Sequence, residues 1–347
     1  MALRIRELDE AAAPACDAFV RAFPSATFFH LTPWARVISK AFGHPTYYAY
    51  AEQDGAVVGV LPLARMRTLL FGDSLSSTPF CVYGGAAATE EARTALEAHA
   101  IDLQRRLGVS VLEWRRLEAP DAGWTERPPL YFTFRKPIRL TGDDAKDMQA
   151  NIPRKQRAEV RKAIERFRLT SVSDSDTDRL HRIYAESVRN LGSPVFSRRY
   201  FHLLAEAFPR EHDVTTVLRD GSPISAVLNF HFREEVLPYY GGGTAAARAV
   251  SANDFMYWEV MRRAGRERGA TLFDFGRSKA GTGAFAYKRN WGFEEQRLNY
   301  CYRLAEGARI PENNPNNPKY RLFIAAWKKL PMPVANLLGP PLVKGLG

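Results

Sequence analysis

Residues 237–293 read LPYYGGGTAAARAVSANDFMYWEVMRRAGRERGATLFDFGRSKAGTGAFAYKRNWGF. The opening predicts a strand that ends in Tyr239 and Tyr240 and then in Gly241, Gly242 and Gly243, where missing side chains let other groups approach the backbone. A long helix follows from Ser251, a capping residue type, with Asp254 placed as an acid in its first turn. Phe255, Trp258 and Met261 lie three apart and form its apolar stripe. Gly269 ends it, and Thr271 to Phe275 is a further strand.

Upstream of this stretch, strands at Val214–Arg219 and Ser222–Phe232 meet across Asp220-Gly221, a strong hairpin signal. Helices are expected around Asp176–Asn190 and Ser197–Phe208, a strand at Leu169–Ser173, and a basic helix over Asn151–Phe167 with Ile152, Val160, Ile164 and Phe167 inward. The first half has the same order. A strand at Ala2–Leu8 and a helix at Asp9–Phe23 precede a helix capped by Thr32, with Pro33 at its first position and Gly43 as its stop. Strands at Thr46–Ala51 and Ala56–Arg67 meet at Asp54-Gly55, followed by a helix at Thr89–Leu107 closed by Gly108 and a strand at Val109–Arg115. The repeated order implies an internal duplication, an α/β (α+β) chain of two like units with a cleft between them. The expected boundaries are 1–140, 141–305 and a tail at 306–347, with a Pro/Asn-rich loop at Pro311–Pro318 and a basic amphipathic end.

The 347 residues carry 49 Lys+Arg against 38 Asp+Glu, a net charge of +11. The excess is local: residues 1–140 hold 16 basic against 15 acidic, and the rest hold 33 against 23. Arg154–Arg168 and Lys319–Lys344 concentrate it, which points to phosphate-bearing partners or an anionic surface more than to general nucleic-acid binding. Three separated cysteines suggest neither a disulfide framework nor a metal ribbon, and a cytoplasmic setting, extending to the inner face of the membrane, is expected. No Walker loop, GxGxxG, GxSxG or HExxH occurs, and the seven histidines show no ligand spacing, so no metal and no tightly bound cofactor is expected.

What remains is Tyr239-Tyr240-Gly241, Trp258 on a long helix, Asp274-Phe275-Gly276, Gly283 with Phe285, and Tyr287-Lys288 before Trp291-Gly292-Phe293. This pattern resembles the FemAB family of the GNAT acyltransferase superfamily, over roughly Phe28 to Arg303, and within it the proteins that accompany exosortase (PEP-CTERM) and exopolysaccharide systems. The resemblance implies tandem duplicated GNAT-like domains. It also implies aminoacyl or acyl transfer to a peptidoglycan-like, envelope or exopolysaccharide precursor, from aminoacyl-tRNA or acyl-coenzyme A.

The lysine of the family motif falls on Lys288, implied to stabilise the developing oxyanion or to grip donor phosphate. A phenol at Tyr240 would protonate a leaving group, with Tyr239 and Arg277 beside the acceptor. Arg248, Ser251 and Asn253 stand where a GNAT chain has its pyrophosphate loop, with serine in place of a glycine, and are the candidates for donor binding. Trp34, Arg36 and Lys40 in the first unit, and Arg154 and Arg157 on the basic helix, are the candidates for an acceptor's diphosphate or the acceptor arm of tRNA. Two alternatives stay open: an acetyl-coenzyme A-dependent N-acetyltransferase, and a non-catalytic binding protein of a polysaccharide or exosortase system.

Overall fold

Two Asp-Gly turns show why the halves of the chain repeat. Asp54 and Gly55 both take left-handed φ, 52° and 81°, and Asp220 and Gly221 take 50° and 76°. A two-residue turn of this hand matches the twist of the strands it joins, and Asp and Gly pay least for it. The strands are Thr46–Gln53 with Ala56–Thr68, and His212–Arg219 with Ser222–Phe232. The computed structural model describes residues 3–68, 72–118, 123–126, 128–310 and 321–345. The chain forms two compact units, one of residues 1–130, 298–314 and 342–347, the other of residues 131–297 and 315–341.

Each unit is a mixed sheet with helices against it, and the order of strands agrees. In the first it runs Arg4–Glu7, Thr46–Gln53, Ala56–Thr68, Gly72–Ser77, Val111–Arg116, Asn299–Leu304. In the second it runs Thr170–Asp174, His212–Arg219, Ser222–Phe232, Glu235–Gly243, Leu272–Asp274, Tyr131–Pro137. The fourth and fifth strands are the parallel pair in both, Ser74 opposite Val111 and Glu235 opposite Leu272, because a helix crosses between them. Those helices are Glu90–Leu107 and Ala252–Arg268. The sixth strand breaks the repeat. Tyr131–Pro137 pairs with Leu272–Asp274, and Asn299–Leu304 pairs with Val111–Arg116, so these strands fall on the other side of the divisions expected at 140 and 305.

Apolar faces fix the packing. The first core gathers Leu61, Leu75, Leu96, Leu103, Leu112 and Trp114, the last with Trp124 at 4.7 Å between ring centres. The second gathers Trp258, Met261, Phe273, Phe275, Trp291 and Phe293, so the stripe expected on the long helix is the one that is buried. Losing one such aromatic side chain costs about 3–5 kcal/mol.

Several expectations are corrected. The basic helix expected over Asn151–Phe167 is shorter, Arg154–Glu165, and an unexpected helix, Asp144–Asn151, precedes it; Pro153 parts the two because proline disfavours a helical residue before it. Ala163 is buried in its core while Ile164 is 39% exposed. Thr32 is not a side-chain cap: its backbone N–H and hydroxyl both donate to Asp17. Ser251 does not cap the long helix either. The tail forms helices at Arg321–Trp327 and Met332–Val343; the loop expected at Pro311–Pro318, and Lys319 and Tyr320, lie outside the described residues. Among the described residues no helix is long and apolar enough to cross a membrane.

Candidate active site

Lys288 stands on the helix Gly283–Asn290, whose start is fixed by the Thr282 hydroxyl accepting from the Phe285 amide at 3.3 Å. Its ammonium donates to the carbonyls of Gly276 (2.9 Å) and Arg277 (3.0 Å) and lies 5.6 and 5.7 Å from the ring centres of Phe134 and Phe275. Those carbonyls face the lysine because the chain turns after Asp274. Its carboxylate accepts from the Gly276 amide at 2.7 Å, with Gly276 at a φ of 67°. Asp274 is fully buried, accepts from Thr133, and pairs with Arg135. Burial lowers the Lys288 pKa to about 7, with Asp274 opposing the shift and Arg277 adding to it. Near neutral pH the group therefore exists as both ammonium and amine, so it can hold an oxyanion and also pass a proton.

A half-buried carboxylate on the long helix meets two residues that bracket Lys288. Asp254 accepts from the Tyr287 hydroxyl and from the Trp291 indole N–H, both at 3.1 Å, and burial raises its pKa. Tyr257, on the same helix, packs 4.6 Å from Phe275, and burial with Asp254 nearby pushes its phenol up to about 12. Side chains on the glycines after Tyr240 would collide with their neighbours, Gly241 with Val227 at 2.9 Å, Gly242 with Ser187 at 2.5 Å and Gly243 with Ala247 at 2.7 Å, so close packing requires glycine here. The pairing of Glu235–Gly243 with the next strand stops at Val236 and Phe273, leaving Leu237–Gly243 to run on past it. Asp254 was visible in the sequence only as a dipole partner. The signal for more was that Tyr287 and Trp291 are four apart and flank Lys288.

The other candidates scatter. Tyr240 is buried with its hydroxyl 2.9 Å from that of Tyr200, among Tyr184, Phe196 and Phe201, a packing position rather than the expected acid. Tyr239 packs on Phe230, and the Arg277 guanidinium lies 5.0 Å from the ring centre of Tyr131. Trp34 is fully buried and its indole donates to the Phe28 carbonyl, so it anchors a core and has no face for a ligand, which corrects the expectation; Arg36 and Lys40 are exposed on the same helix. Arg157 donates to the carbonyls of Gln149 and Ile152 and closes the preceding helix, while Arg154 is exposed.

At the expected donor loop Arg248 is exposed, and Asn253 accepts from Ser225 at 2.8 Å. Ser251 takes a left-handed φ of 55°, and its hydroxyl donates to Glu159 in a short bond that, with Lys162, lowers the Glu159 pKa. A carboxylate thus stands beside the first turn of the long helix, where a phosphate would meet like charge. The first unit has a cavity of its own, about 410 Å³, lined by Thr27, His30, Tyr83, Gly84, Arg93 and Arg116 among others.

Residues 146–289 match the model of the acetyltransferase (GNAT) domain. This part of the chain is similar to GNAT acetyltransferase domains. Solved structures of the same fold include FemX, at 17% identity and a TM-score of 0.70 over 92% of this chain and 100% of that one. A tandem GNAT protein from the clavulanic acid biosynthesis pathway aligns at 14% identity and 0.54, over 89% of this chain and 100% of that one. The C-terminal domain of a protein assigned as lysylphosphatidylglycerol synthetase, from Agrobacterium fabrum, aligns at 13% and 0.56, over 86% of this chain and 92% of that one. A search of curated protein sequences finds no match. The fold is thus that of tandem GNAT units: the repeated element order predicted two like units, and the family resemblance implied their kind.

Proposed function

We propose that the protein transfers an aminoacyl group from aminoacyl-tRNA to an amine or hydroxyl of a diphosphate-bearing cell-envelope precursor, peptidoglycan-like or exopolysaccharide, in the cytoplasm. The observation that carries this reading is Lys288, held by the carbonyls of Gly276 and Arg277 with a pKa near neutrality. The acceptor atom attacks the ester carbonyl, a C–N or C–O bond forms, and the lysine ammonium stabilises the oxyanion. The bond to the ribose oxygen then breaks, and the proton lost by the acceptor ends on that oxygen, with Lys288 as the relay. The likeness of the Tyr287-Lys288 motif to the FemAB family, which transfers aminoacyl groups to peptidoglycan precursors, supports the donor class.

Glu159 supports an aminoacyl ester over coenzyme A, because its carboxylate occupies the helix start where a GNAT fold would take a pyrophosphate. The first-unit cavity, where Arg93 and Arg116 supply charge, suits a phosphate-bearing ligand. The motif's likeness to exosortase-associated FemAB proteins favours an exopolysaccharide acceptor. The GNAT domain match keeps acetyl-coenzyme A as the second reading. Calorimetry separates the two: aminoacyl-tRNA should bind and coenzyme A should not, whereas tight coenzyme A binding would reverse the choice of donor.

A further inference from the structure

The C-terminal helices of the second unit carry a face that this chain leaves uncovered. Arg321–Trp327 and Met332–Val343 pack on residues 189–195: Arg189 donates to the Lys328 carbonyl at 3.1 Å, and added side chains at Gly192 or Gly339 would collide with Ile324 or Val195. Trp327, Ala335 and Gly339 turn inward. On the outer side Leu322 is 85% exposed, Leu337 74%, Leu338 46% and Phe323 42%, and Leu191 beside them is 60% exposed. Met332–Val343 has no charged residue, and the exposed Asn336 is its one polar side chain, so this helix is largely apolar both where it packs and where it meets solvent. A helix of that kind is at home inside a core or against lipid.

The charges near this face decide what covers it. Arg321, Lys328 and Lys329 are exposed, and no acidic residue occurs between positions 321 and 341. A second copy docking through the same face would bring lysine toward lysine, since a two-fold interface apposes like patches. An anionic bilayer surface complements them: head groups meet the cations while leucine and phenylalanine enter the boundary of the acyl chains. We propose that this face docks the protein on anionic membrane lipid. The proposal is independent of the transfer reading, because vesicle binding requires no turnover.

Co-sedimentation of the full chain with vesicles tests it, using phosphatidylcholine with and without phosphatidylglycerol. The wild type should pellet with the mixed vesicles, and less with phosphatidylcholine alone or at high salt. Leu337→Glu with Leu338→Glu should reduce partition at least about tenfold with an unchanged melting temperature, since both side chains are exposed. Lys328→Glu with Lys329→Glu should weaken binding only to the anionic vesicles. The proposal is overturned if the wild type binds neither vesicle, or if the leucine variant binds as the wild type does. It is equally overturned if light scattering finds a dimer that the leucine variant dissociates.

Discussion

The two units share a strand order and differ in what lies beyond the parallel pair. In the first, Thr78 and Phe80 to Tyr83 are buried: the Gly84 amide donates to the Arg115 carbonyl at 2.6 Å, Arg115 reaches the Cys81 carbonyl, and the Tyr300 hydroxyl reaches that of Val82. Thr78 and Phe80 hold left-handed φ of 51° and 69°, a strained conformation kept in place by contacts such as the 3.9 Å stacking of Phe80 on Phe42. In the second, the strand ends in three glycines and the helix of Lys288 follows the fifth strand. One unit spends the end of its sheet on its own chain and keeps a cavity with arginines; the other sets a lysine and a half-buried carboxylate there. The scaffold is repeated, and the lysine held between backbone carbonyls stands in one copy.

That contrast can be broken by substitution. The largest effect should come from Lys288→Met, which removes a donor to the oxyanion and should lower kcat by about 10²–10³-fold, while Lys40→Met in the first unit leaves kcat unchanged. Arg93→Gln in the first-unit cavity should weaken the binding of inorganic diphosphate roughly tenfold, as calorimetry would reveal; unchanged binding would remove the cavity as a phosphate site. Glu159→Ala with Ser251→Gly should create measurable coenzyme A binding by calorimetry, and a variant that still binds none would remove Glu159 as the determinant of donor choice.

The smallest effect is on stability. The Lys288 pKa is about 7 in the folded chain against an ordinary 10.5, so between those values the unfolded chain binds more protons. Stability should therefore rise with pH through this window. The burial penalty is complete below about 7 and gone by 10.5. Lys288→Met should melt higher than the wild type at neutral pH, and the gap should close as pH rises. A lower melting temperature at neutral pH would mean that the bonds to Gly276 and Arg277 outweigh the cost of burying the charge.

Local signals were legible in the sequence and distant pairings were not. Asp54-Gly55, Asp220-Gly221 and the helix ends at Gly43, Gly108 and Gly269 were readable because a left-handed residue declares itself by its own type. The strand Gly72–Ser77 was missed because GDSLSS is small and polar, and its partners hold it in place. The destination of Tyr131–Pro137 was hidden because it pairs with a strand more than a hundred residues away. Within the site, Lys288 could be picked from its motif. Trp34 was misread because a tryptophan beside basic residues looks alike in a core and in a binding face. Glu159 was invisible because its partner Ser251 is 92 positions distant.

The most direct test of the account is single-turnover transfer of a labelled aminoacyl group from aminoacyl-tRNA to a lipid- or nucleotide-diphosphate-linked precursor, with wild type and Lys288→Met side by side. The label should move to the precursor with the wild type and stay on the tRNA with the variant. Equal transfer by both proteins, or wild-type transfer from a coenzyme A thioester alone, would contradict it.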